Sequence, residues 1–150
     1  MKQFNVILLL ALCSCTFNKK ELDNPKKRLT DYVSISFSVK EPQDKSKLLA
    51  YLTGSAKNRL LAWSDEQFRL AFIEAKRQFI KLSIREIKPI NKNEVNITYE
   101  LTYLDQSKGS DARVTNRRTG EMVFENGNWF IREVHNIKEL IEYKNEMSLP

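Results

Sequence analysis

Histidine is nearly missing from this 150-residue chain, and cysteine is confined to its start. One histidine, His135, and two cysteines, Cys13 and Cys15, are all it carries of the two. A structural metal site draws on about four ligands, and His135 has no cysteine near it in sequence, so metal-ligand spacing is absent. Cys13 and Cys15 stand two residues apart, too close for an unstrained bridge, which needs a particular Cα separation and torsion. A membrane-crossing run is also lacking. Val6 to Leu12 is apolar throughout but far short of the roughly 20 residues that span a hydrocarbon core in a helix. Neither a serine-histidine-acid set, a phosphate-binding glycine loop nor a nucleic-acid-binding motif appears, and the chain has no internal repeat.

What the start does contain is a layout. Lys2 sits in a short polar opening, the apolar stretch follows, and small residues come next. That is the order of a secretory signal. Leu12-Cys13-Ser14-Cys15 then resembles the lipobox of bacterial lipoproteins, with an aliphatic residue three before the cysteine and a small one just before it. The resemblance implies a diacylglyceryl group on the Cys15 thiol and cleavage before it. Cys13 fits the acceptor position worse, because bulky Leu12 precedes it, although Cys13 stands where the box usually holds Ala, Ser or Thr. Cleavage by the ordinary signal peptidase is the alternative. The expected division is therefore a signal peptide over 1–14, a lipidated linker over 15–24 and one domain over 25–150. Thr16, rather than Asp, after the cysteine resembles the enterobacterial signal for outer-membrane sorting. The expected location is the cell envelope, at a bilayer reached through acyl chains on Cys15, facing the periplasm or the surface.

With Cys15 acylated, no thiol remains for a disulfide, so the fold must rest on an ordinary hydrophobic core. Hydrophobic residues at 41% and charged residues at 29% suit a globule of one domain. The net charge of +6 includes a cluster near the proposed anchor, Lys19, Lys20, Lys26, Lys27 and Arg28. Such a cluster can rest on anionic headgroups or simply be a solvated first helical turn. A secreted location and the missing motifs argue against nucleic acid as a partner.

Asn24-Pro25 has the chemistry of a helix opening, a capping side chain and then proline. Leu29, Tyr32, Val33 and Phe37 follow at helical spacing, although Val33, Ile35, Phe37 and Val39 also alternate as a strand would. Asp44 is expected to cap a second helix running to Trp63, with Gly54 marking a break. Ser64 and Gln67 form a capping box for a third helix whose stripe is Phe68, Ala71, Phe72, Ala75 and Phe79. The period then shortens. Leu82 to Lys88 reads as a strand, and Val95, Ile97, Tyr99, Leu101 and Tyr103 alternate cleanly with polar residues. A strand from Arg113 to Glu125 is expected to bulge near Thr119-Gly120. Asn126-Gly127 is a tight hairpin pair, Trp129 to Val134 the last strand, and Asn136 to Ile141 a short closing helix.

Helices first and a four-stranded antiparallel meander after them predict an α+β domain with helices packed on one face of a curved sheet. The element order and the hairpin "ENGNWFIREV" at 125–134 resemble the nuclear transport factor 2-like superfamily, the cone fold of the ketosteroid isomerases. A cystatin-like or other helix-on-sheet fold competes with it. The resemblance implies an apolar pocket, for which Tyr99, Tyr103 and Trp129 are the lining candidates. Glu133 and His135 share a strand face and are the best acid/base candidates for an isomerase- or dehydratase-like reaction. The first expectation is nonetheless a non-catalytic binding or assembly module without cofactor or metal, meeting a small apolar ligand or another envelope protein. An accessory part of a secretion or conjugation machine is a further alternative. The last hairpin can bring Arg113, Arg117, Arg118 and Arg132 together, either as a solvated basic face or as a contact for an acidic partner or lipid headgroup.

Overall fold

A computed structural model describes residues 19–144. Cys15, the segment 1–14 and the first residues of the predicted linker lie outside them. The chain runs through helix α1 (Lys19–Ser36), a 3-10 turn (Pro42–Asp44), α2 (Lys45–Leu49), α3 (Gly54–Ala62) and α4 (Asp65–Phe68). A π-helical stretch (Arg69–Glu74) continues α4, and four strands follow, β1 (Arg77–Asn91), β2 (Glu94–Asp105), β3 (Arg113–Glu125) and β4 (Asn128–Glu142). The strands pair antiparallel in the order β1-β2-β3-β4. The helices lie against one face, so the architecture is α+β, as the order of periods predicts.

The centre of the sheet follows the two-residue period without error. Val95, Ile97, Tyr99, Leu101 and Tyr103 are all buried, and β2 pairs with β3 without a slip from Glu94↔Val123 to Leu104↔Arg113. The bulge expected near Thr119-Gly120 is therefore not there. Bulges occur on the outer strands instead. Pairing skips one residue at Ile80, Arg85 and Ile90 on β1, and at Arg132 and Ile137 on β4. Each inserted residue lengthens an edge strand relative to its neighbour and increases local twist and bend. Each also switches the face that later residues meet. Inward positions on β4 are thus Trp129, Ile131, Val134 and Ile141, which all pack on the core.

That switch also replaces the expected closing helix with strand. Asn136 to Ile141 form the end of β4, not a closing helix, because β3 offers an unpaired ladder from Arg113 to Arg118. Apolar residues at 137, 140 and 141 mimic a helical spacing only because Ile137 is bulged. The hairpin between β3 and β4 turns at Asn126 (φ 50°) and Gly127 (φ 82°), the left-handed pair that its residues favour.

The helical layer departs from expectation at three points. Helix α1 begins before Asn24-Pro25 and holds Pro25 inside it. Proline there removes one ladder donor, and its ring is instead fully buried in line with Leu29 and Val33. The predicted second helix is split. Tyr51 to Thr53 leave helical geometry and pair in parallel with β4: Ile131 N donates to Tyr51 O at 2.9 Å and Thr53 N to Ile131 O at 2.9 Å. Gly54, at φ +51°, turns the chain from this bridge into α3. Lys76, at φ 45°, ends the third helical segment, so Phe79 belongs to β1 rather than to the helical stripe. The Ser64–Gln67 capping box is formed, with Gln67 N to Ser64 Oγ at 3.1 Å and Ser64 N to Gln67 Oε1 at 2.9 Å.

Arg28 ties the layers together. Its Nε donates to Trp129 O at 3.0 Å, its Nη2 to Ala50 O at 2.7 Å, and its guanidinium lies 3.9 Å over the Tyr51 ring.

Candidate functional site

Between α1, α3 and the inward face of the sheet lies a cavity of about 190 Å³, open to solvent on one side. Leu52, Ala56, Leu60 and Phe72 form its apolar walls, with Trp63 and Val134 beside them. Tyr32, Tyr99, Arg59 and Arg118 supply its polar groups. Each reaches the cavity through local geometry. Tyr32 lies one turn from Leu29 on the buried side of α1. Ala56, Arg59 and Leu60 recur at the helical spacing of α3. Tyr99 belongs to the inward row of β2, and Arg118 to the row of β3 that also holds Val114 and Met122.

The two arginines are in different electrostatic states. Arg59 meets the Glu133 carboxylate through both terminal nitrogens, with Nη1 to Oε2 at 3.0 Å, and Ser55 Oγ donates to the same carboxylate at 2.5 Å. The Arg59 guanidinium, then the Ser55 hydroxyl, hold the Glu133 carboxyl down at about 2. Arg118 has no carboxylate within 4.0 Å among the described residues, and its Nε is buried without a hydrogen-bond partner. Its Nη2 donates to the Asn116 side-chain oxygen at 3.1 Å when that amide is oriented to suit its neighbours. The same oxygen accepts from Tyr103 OH at 3.1 Å, and the amide nitrogen donates to Glu139 Oε2 at 2.9 Å.

Burial dominates the tyrosines. It pushes Tyr32 up to about 12, assisted by nearby Tyr99 and opposed by Arg118 and Arg59. Tyr99 is also raised by burial, against the pull of Arg118. Both phenols therefore stay protonated at neutral pH and can donate.

Of the three lining candidates read from sequence, Tyr99 lines the cavity. Tyr103 is buried beside it, packed on Phe37 at 5.6 Å, and Trp129 packs on Phe124 at 5.4 Å near the hairpin. Glu133 and His135 stand opposite Glu121 and Thr119, on the row that does not line the cavity. They have separate partners: Glu133 takes Arg59, and His135 Nε2 lies 3.0 Å from Glu121 Oε1. The four arginines of the last hairpin are also divided. Arg117 pairs with Glu100, with Nε to Oε1 at 3.0 Å, and Arg132 with Glu94 and Glu121, while Arg118 turns to the cavity and Arg113 is exposed. Arg59 and Tyr32 escaped the sequence reading, since an exposed helical arginine and a core tyrosine carry no distinguishing spacing.

Among the described residues no group of three or more His, Cys, Asp or Glu could hold a metal ion, and no helix is long and apolar enough to cross a membrane. Compared with known families and curated proteins, the chain matches no family model and no curated protein.

Proposed function

We propose that this chain is a lipid-anchored lipoprotein of the cell envelope whose domain, a cone of the nuclear transport factor 2-like kind, works as a non-catalytic binding module for a small ligand. One observation carries the binding part: an open cavity with apolar walls and a few convergent donors lies between helices and sheet. The bulged outer strands support the cone, since they bend the sheet around those helices. The lipobox-like Leu12 to Cys15 supports the anchor.

Binding is favoured over acid/base catalysis by the state of the candidate groups. A general base needs a carboxylate poised near working pH and aimed at the substrate. Glu133 is instead held at about 2 by Arg59, and His135 contacts Glu121 on the row that does not line the cavity. Purification of the full-length protein from its native membranes, followed by mass spectrometry of the protein and of small molecules released from it, tests both parts. The expected result is a diacylated amino-terminal Cys15 and a stoichiometric small molecule. An unmodified polypeptide would overturn the anchor. A chain that releases no small molecule would overturn the binding module.

A further inference from the structure

Resting on that binding reading, we propose that the cavity takes a small organic acid as its carboxylate, an apolar body about the size of one benzene ring bearing a single carboxyl group, with Arg118 as the anion contact. The charge balance around the cavity sets the sign. Its lining holds two guanidinium groups and no acid. Glu133 neutralises Arg59 from the rim, which leaves the charge of Arg118 over. A guanidinium does not shed its proton in proteins, and a charge withdrawn from water is costly without a counter-ion. Within the protein Arg118 meets only neutral partners, the Asn116 oxygen and the Tyr99 hydroxyl, and its Nε points to no acceptor; the Glu139 carboxylate reaches it only through the Asn116 amide. A carboxylate from outside supplies what is missing.

One uncompensated positive charge matches a monoanion better than a phosphate dianion. The Tyr32 and Tyr99 hydroxyls add neutral donors at the same cavity, which suits an acceptor-rich head group, while the two guanidinium groups repel a cation. Size follows from volume. A cavity of about 150 Å³ holds benzene, and this one measures about 190 Å³. Leu52, Leu60 and Phe72 form an apolar surround for such a body.

The test is calorimetric titration of the full-length, detergent-solubilised protein with phenylacetate and with its neutral isostere phenylacetamide. Phenylacetate is expected to bind at least tenfold more tightly than the amide. Arg118→Gln should bring the two within about twofold. Glu133→Gln, which releases the Arg59 charge into the same cavity, should tighten phenylacetate severalfold and leave the amide unchanged. This second variant leaves Arg118 in place and keeps the reasoning testable if Arg118→Gln does not fold. Equal affinity for acid and amide in the unaltered protein would overturn anion recognition while leaving the binding module standing. Inorganic phosphate displacing phenylacetate at lower concentration would overturn the monocarboxylate, and so would the absence of binding by either probe.

Discussion

Replacing Glu133 with glutamine removes the one carboxylate that joins α3 to β4 through Arg59 and Ser55. The fall of the Glu133 carboxyl from 4.5 to about 2 would correspond to roughly 3 kcal/mol if fully expressed in stability. Arg59 is 58% exposed, so solvent and salt screen the pair and about 1–1.5 kcal/mol is the expected share. A carboxylate whose folded value is depressed contributes fully above its unfolded value of about 4.5 and loses that contribution as pH falls towards 2. Urea unfolding followed by circular dichroism between pH 2.5 and 7 measures it, since urea, unlike guanidinium, leaves the ion pair unscreened. The unaltered protein should exceed the variant by about 1–1.5 kcal/mol at pH 6–7, and the gap should shrink towards zero near pH 2.5. Other carboxylates with depressed values, Glu94 and Glu100 among them, titrate in both proteins and cancel in the difference. A gap of the same size at pH 3 and pH 7 would refute the electrostatic account. It would mean that the side chain stabilises by shape or hydrogen bonding alone.

Arg28→Ala leaves the Trp129 and Ala50 carbonyls without their charged donor and is expected to cost about 2 kcal/mol. Thermal unfolding should move down by roughly 6–10 °C; a shift under 2 °C would show that water replaces the arginine at no cost. Gly54→Ala puts a Cβ on a left-handed residue, 3.0 Å from Arg132 Cγ, and should cost roughly 1–2 kcal/mol in urea unfolding. Cys15→Ser is expected to move the protein from the membrane to the soluble fraction on cell fractionation, and an unchanged distribution would count against the acyl anchor.

Legibility tracked the regularity of the strands. The middle of the sheet could be read by eye, because β2 keeps strict alternation from Val95 to Tyr103 and its partner β3 never slips. The outer strands could not, because their inward residues step alternately by three and by two. On β1 the series is Phe79, Leu82, Ile84, Ile87 and Pro89, each opposite an inward residue of β2. Such a series satisfies neither a two-residue nor a helical template over its whole length. Its fragments imitate both, so Phe79 fits the end of a helical stripe and Ile137 to Ile141 fit another. On β4, Trp129, Ile131 and Val134 point the same way because Arg132 is bulged.

The site was harder to read than the fold, yet one part of it was accessible. Val114 and Met122 bracket the inward row of β3, and even-numbered positions between them fall on that row. Arg118 is the only charged residue there, beside Asn116 and Gly120, whereas Arg117 belongs to the opposite face with Glu100. Composition sums charges that a pleat separates, so the arginine cluster taken together does not reveal the inward one. What no periodicity could supply was the state of Arg118's neighbours. Whether an inward arginine is a structural ion pair or an unsatisfied cation depends on which acids lie across the fold, and here Glu133 is held by Arg59 from α3 while Glu139 accepts from Asn116 rather than from Arg118. The functional reading therefore turns on which guanidinium the fold supplies with a carboxylate, Arg59 and not Arg118, through contacts between residues far apart in the chain.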